Sequence, residues 1–231
     1  MDKINVEFFH DVICSFCFPM SYRMRQLQMM MPDIEIVHRS FALARSEHDF
    51  DIMFGSREAA KDEILEHWAH ANENDDLHRL NIAGMRKATF PFPTSMNALI
   101  ACKAAYYAAG SAGYWDVFDA LQKALFVQNR NIEAQEVIEG CIKKTEIDFE
   151  KWKHHYNAGG TSTAVEDDLS LAQRYGIHGV PCLIINGKQR ISGAQPLPQI
   201  IRAVHDAAGI KEEAGPGGAV CRLEDNKIAC E

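Results

Sequence analysis

The chain is poor in the features that would place it outside ordinary globular proteins. No stretch approaches the ~18 consecutive apolar residues of a membrane-spanning helix, so a bilayer span is not expected. Cations are in deficit: 24 Lys and Arg stand against 32 Asp and Glu, a net charge of −8. Nucleic-acid backbones and anionic lipid surfaces reward clustered Lys and Arg, so neither a nucleic acid nor a membrane is expected as a partner. Glycine (15) and proline (8) are too few among 231 residues for a collagen-like or low-complexity chain. Residues Met1 to Glu7 carry acids where a secretory leader has a basic region followed by ~10 apolar residues, and a cytoplasmic location is therefore expected. What is present, 47% hydrophobic and 24% charged residues, is the balance of a soluble folded chain. At this length roughly 70% of the unfolded surface can be buried, so no covalent staple is required.

Cysteine is the exception to this plainness. There are seven, an odd number that cannot all pair within one chain. In a reducing cytosol the disulfides that do form tend to be transient and catalytic.

Periodicity divides the chain. Ile4, Val6 and Phe8 alternate with Asn5, Glu7 and Phe9, a strand pattern. Met20, Met24, Leu27 and Met31 then form one stripe of an amphipathic helix closed by Pro32, and Ile34 to Phe41 reads as a second strand. This βαβ unit implies parallel strands. From Ser46 to Tyr175 helical signals repeat: Ala60, Ile64, Trp68 and Ala71; Leu99, Cys102 and Tyr106 within a helix over 96–109; Trp115, Phe118, Leu121 and Leu125; Ala134, Val137, Ile138 and Cys141; Phe149, Trp152 and Tyr156. Strands return at Cys182 to Ile185 and Lys188 to Ser192, separated by Asn186-Gly187, the strongest short hairpin signal. A last helix starts near Pro196 and stops at Gly209. The expected fold class is α/β: a thioredoxin-like domain over 1–45 and 176–210, a large all-helical insertion over 46–175, and a flexible tail over 211–231 that carries a cysteine pair.

Cys14-Ser15-Phe16-Cys17 falls where a strand meets a helix N-terminus. Unpaired N–H groups and the positive end of the helix dipole favour a thiolate there, and the thiolate is the nucleophile. A second thiol three residues further on can attack the mixed disulfide that the first forms. A C-x-x-C beside a βαβ pattern reads as a thioredoxin-like redox motif, with half of a zinc site as the alternative. His10 and Asp11 precede Cys14 closely enough to act as acid or base. Gly179-Val180-Pro181, just before the returning strand, places a proline where either a trans or a cis bond would fit.

The order βαβ, helices, ββα, together with Asp11-Val12-Ile13-Cys14-Ser15-Phe16-Cys17, Gly176-Ile177-His178-Gly179-Val180-Pro181 and Ile191-Ser192-Gly193-Ala194-Gln195, resembles the DsbA-like thioredoxin-fold oxidoreductases, and among them the FrnE-like branch, over about residues 3 to 209. The resemblance implies thiol–disulfide exchange with Cys14 as nucleophile, Cys17 as resolving thiol, and Pro181 as a cis proline beside them. The Val180 backbone would bind the substrate chain. It implies no bound organic cofactor, with glutathione as a co-substrate, and as partners disulfide-containing proteins or small thiols, thioredoxin or glutathione among them. The sequence departs from the family in Ser15-Phe16, where Pro then Trp is usual, in Pro19 near the first turn of the helix, and in Cys182 next to the proline.

The remaining chemistry stays open at this level. Cys221 and Cys230 resemble the second cysteine pair of some FrnE-like proteins but are more widely spaced; a redox relay, a disulfide closing its own loop, and a metal site or no role are the readings. Glu63, His67 and His70 share a helix face, and His154-His155 are adjacent, but an exposed polar surface explains both, and no metal site is expected. Cys102 and Cys141 sit on apolar helix faces and are expected to be buried and inert. Two other functions compete: a kappa-class glutathione transferase or hydroxychromene-carboxylate isomerase, which needs a single catalytic Ser or Cys, and a non-catalytic zinc or thiol-chaperone module.

Overall fold

The computed structural model describes residues 3–209 together with the backbone of 221–224 and 227–230. The opening unit is β1 (Ile4–His10), α1 (Cys17–Met30) and β2 (Ile34–Ser40). β1 and β2 run parallel, from Ile4 opposite Ile34 to His10 opposite Ser40. After the helical stretch come β3 (Cys182–Ile185), β4 (Gln189–Ser192) and α9 (Leu197–Ala208). β3 lies antiparallel to β1, giving a four-stranded sheet in the order β2-β1-β3-β4. Asn186 and Gly187 both take the positive φ of the expected turn (49° and 67°), and Lys188 N–H closes it on the Ile185 carbonyl.

The alternation along β1 suggests one wet face, yet the structure covers both. Val6 and Phe8 pack with residues of α1, α9 and the insertion, whereas Phe9 lies in a smaller cluster with Ala172, Ile177, Cys182 and Ile184. Glu7, on that second face, is only 6% exposed. It accepts from Arg39 Nε at 2.8 Å and from the Tyr175 hydroxyl at 2.9 Å, the pairing a buried carboxylate requires.

Between β2 and β3 lie α2 (Glu47–Phe54), α3 (Ala60–Asn74), α4 (Ile82–Lys87), α5 (Met96–Gln122), a π-turn (Lys123–Val127), α6 (Gln135–Ile142), α7 (Phe149–Tyr156) and α8 (Gly159–Arg174). Their large side chains, Trp68, Trp115, Phe118 and Trp152 among them, belong to the same buried cluster as Val6 and Phe8, so sheet and insertion share one apolar core. The helix expected over 96–109 ends at its glycine: α5 is two helical segments, broken where Ala109 (φ −144°) and Gly110 (φ 68°) leave helical geometry, and the second runs on to Gln122. At Gly113 the two halves come so close that a Cβ would lie 2.8 Å from the Ala105 carbonyl, which only glycine permits.

α1 is locked in place by polar ties that reach into the insertion. Arg23, buried on its inner face, donates to Asp76 at 2.9 Å, to Asn74 Oδ1 at 2.9 Å and to the Gln195 carbonyl at 3.2 Å. Ser21 Oγ donates to Gln122 Oε1 at 2.9 Å, and the Arg79 guanidinium lies over the Phe18 ring at 4.0 Å. These ties fix the helix whose first turn carries the dithiol.

Candidate active site

The loop after β1 brings the site together. Cys14 N–H donates to the Asp11 carbonyl at 3.3 Å, Cys17 N–H to the Cys14 carbonyl at 3.1 Å and Phe18 N–H to the Ser15 carbonyl at 3.2 Å, so tight turns lead straight into α1. Cys14 is 5% exposed and Cys17 fully buried, and both are free thiols. Across the site the Val180–Pro181 peptide is cis, and Cys14 Sγ donates to the Val180 carbonyl at 3.4 Å. The chain thus brings Cys14, Cys17, Val180 and Pro181 together across 166 residues of sequence.

Burial pushes the Cys17 thiol well above its ordinary range, and the hydrogen bond and charge of Cys14 push it further. Cys17 therefore holds its proton firmly. Asp11 is fully buried; its Oδ2 accepts from Leu43 N–H at 2.7 Å and Ser95 Oγ at 2.6 Å, and its Oδ1 from Ile13 N–H at 3.3 Å. Burial raises its carboxyl to about 6, although these donors pull it down. A folded-state value above the unfolded one means that this stabilisation is present below about 3.8 and lost as pH rises through 6. At pH 7 the charged carboxylate costs about 3 kcal/mol.

His10 takes no part in this arrangement. Its Nε2 meets His38 Nδ1 at 3.0 Å, and its ring lies 4.1 Å from that of Phe118 and 5.6 Å from that of Tyr114. The pairing was not legible in the sequence; the only signal was a histidine at 38 on the same face of β2 as Ile34 and Ile36. Burial above all lowers both imidazoles well below the usual range, with Lys103 adding to it at His10 and the neighbouring His10, then Lys103 and Arg25, at His38, so both are neutral at pH 7. A depressed histidine value means that the unfolded chain takes up protons first. We therefore expect stability to fall as pH drops below about 6.5, by up to about 1.4 kcal/mol per pH unit for each histidine. Urea unfolding between pH 7 and 5 checks this, and His38→Phe should flatten the dependence.

The other sequence candidates fall elsewhere. Cys102 and Cys141 are buried, and burial raises both thiols. Cys182, 2% exposed, points into the smaller cluster with Phe9 and lines a cavity of about 360 Å³ that also touches Val180 and Pro181. His67, His70 and Glu63 lie on the exposed face of α3. Among the described residues no group of three or more His, Cys, Asp or Glu could hold a metal ion, and no helix is long and apolar enough to cross a membrane. The side chains of Cys221 and Cys230 lie outside the described residues; their backbones are opposite one another in the hairpin of β5 (Cys221–Glu224) and β6 (Lys227–Cys230).

A βαβ–helical–ββα chain with a dithiol at the start of α1 and a cis proline facing it defines the thioredoxin-fold class. Residues 5–205 match the model of the DSBA-like thioredoxin domain, and the chain belongs to that family. No curated protein sequence matches. Among solved structures, a probable DsbA oxidoreductase of Streptomyces coelicolor is similar over 98% of both chains, with a TM-score of 0.69 and 20% identity. The cytosolic disulfide reductase DsbM of Pseudomonas aeruginosa, solved with glutathione, has a TM-score of 0.67 and 14% identity, over 86% of this chain and 97% of that one. A 2-hydroxychromene-2-carboxylate isomerase follows at 0.61 and 15%, over 90% of this chain and 100% of that one. At these identities the likeness is one of fold.

Proposed function

We propose that the protein is a thiol–disulfide oxidoreductase in which Cys14 is the nucleophile, Cys17 the resolving thiol, and Val180 with cis-Pro181 the dock for the substrate chain. The observation that carries this reading is the Cys14 sulfur 3.4 Å from the Val180 carbonyl, with the buried Cys17 thiol beside it. In the reducing direction the Cys14 thiolate attacks one sulfur of a substrate disulfide, forming a mixed disulfide and releasing the other sulfur as a thiolate that takes a proton from water. Cys17 then loses its proton, attacks Cys14 Sγ, and expels the second substrate thiolate, leaving a Cys14–Cys17 disulfide. The reverse sequence oxidises a dithiol.

Asp11 is the group suited to carry the Cys17 proton, because its carboxyl sits near 6 and its charge adds to the upward push on that thiol. His10 then serves the core. Retention of both thiols favours exchange over an isomerase or transferase, which needs one. Disulfide-bearing proteins and small thiols, glutathione and thioredoxin among them, are the proposed partners, in the cytoplasm. Cys221 and Cys230, whose backbones are paired in the β5–β6 hairpin, are proposed as a redox relay for the first pair.

Asp11→Asn tests the site. It keeps an acceptor for Leu43 N–H and the Ser95 hydroxyl while removing the proton, so resolution of a Cys14 mixed disulfide should slow by about 10²-fold. Stopped-flow release of a chromogenic thiol checks this: the native pH profile should bend near 6, and the variant's should not. An unchanged rate and profile would remove Asp11 from the proposal.

A further inference from the structure

β2 is an edge strand of the sheet, and its hydrogen bonds show which of its residues face outward. The Asp33 carbonyl accepts from Ile4 N–H, and Phe41 N–H donates to the His10 carbonyl, so the odd-numbered residues turn their backbone groups toward β1. The even-numbered ones turn away. Of these, Ile34 N–H is taken by the Met31 carbonyl and Ser40 N–H by Asp168 Oδ2, closing both ends of the edge. Between them the N–H and C=O groups of Ile36 and His38 face outward, with no loop or side-chain partner among the described residues.

Ile36 and His38, 4% and 7% exposed, lie at a cavity of about 480 Å³ that every residue from Ile34 to Arg39 lines. Tyr106, Tyr107 and Tyr114 of α5 make one wall, and Ala164 and Asp167 of α8 the other. Tyr106 and Tyr107 are 49% and 43% exposed, large rings left open beside an unpaired strand edge. The edge is recessed between two helices. A second folded sheet edge, flanked by its own helices as this one is, would strike those walls, whereas a single extended chain fits between them.

Charge narrows the occupant. Lys103 and Arg39, the cations of the groove interior, are both committed to Asp168, and Arg39 also to Glu7. Glu35 and Asp167 are exposed acids with no ion pair among the described residues, and Lys3 lies at the Ile34 end. We propose that the outer edge of β2 is a docking site for an extended polypeptide segment bearing a lysine or arginine, which adds to the sheet as a fifth strand through Ile36 and His38. Main-chain pairing supplies the affinity, and the acids and tyrosines select the side chains.

The probe is a fluorescein-labelled heptapeptide of alternating threonine and valine with a central lysine, tested on the full chain by anisotropy and by amide hydrogen exchange. Binding should protect the Ile36 and His38 amides and leave that of Val37 unchanged. N-methylation of the peptide amides that face β2 should abolish binding, as should Ala164→Trp, which fills the groove from a partly exposed position on α8. Glu35→Lys combined with Asp167→Lys should weaken binding roughly tenfold while leaving glutathione exchange at Cys14 unaltered. Three results would overturn the proposal: no binding by the probe, binding that survives both N-methylation and Ala164→Trp, or Ile36 and His38 amides already protected before peptide is added. The last would mean that another part of this chain or a second copy covers the edge.

Discussion

Cys14→Ser is expected to lower disulfide exchange to the uncatalysed rate, with folding intact. A serine hydroxyl fits the space beside the Val180 carbonyl, but it is not ionised near neutral pH and cannot form a mixed disulfide. Loss should be complete because the second thiol cannot substitute. Cys17 has no exposure to solvent, and burial holds its proton. Reduction of a model protein disulfide by glutathione, with circular dichroism as the control for folding, measures the effect. Residual catalysis in a folded Cys14→Ser protein would assign the nucleophile elsewhere, with Cys182 the first suspect because it lines a cavity together with Val180 and Pro181.

The largest expected loss of stability lies away from the thiols. Asp168, on α8, is 3% exposed and accepts from Arg39 Nη1 at 3.2 Å, Ser40 N–H at 2.9 Å and Lys103 Nζ. It thereby joins β2, α5 and α8. Asp168→Ala would leave the Lys103 ammonium in the interior without its partner and the Ser40 N–H without an acceptor, at a cost of about 3–5 kcal/mol. Adding Lys103→Met should recover part of that loss, since removing both charges is far cheaper than stranding one. Urea unfolding measures both variants; a loss below about 1 kcal/mol for the single change would show that water reaches Lys103 readily.

Local signals made the dithiol, the Asn186-Gly187 hairpin and the helix end at Gly209 legible, because each depends on neighbouring residues and a backbone requirement. Asp11 could be proposed from its nearness to Cys14 but not its anchoring, since Ser95 lies 84 residues away. The His10–His38 pair and the Asp168 junction were hidden for the same reason: their partners are 28 and 65 to 129 residues apart, and only the parallel register of β1 on β2 and the passage of α5 beside them create the contact. Gly110 was legible in the same way as Gly209: a positive-φ glycine ends many helices, and the backbone leaves helical geometry at Ala109 and Gly110, although the apolar residues on both sides belong to one core.

The account stands most directly on the fate of Cys17→Ser mixed with oxidised glutathione and analysed by intact mass and peptide mapping. It predicts one glutathione adduct, on Cys14, that persists until a reductant is added, whereas the native protein passes through that adduct and ends as a Cys14–Cys17 disulfide. An adduct on another cysteine, or a native protein that never forms the Cys14–Cys17 disulfide, would contradict it.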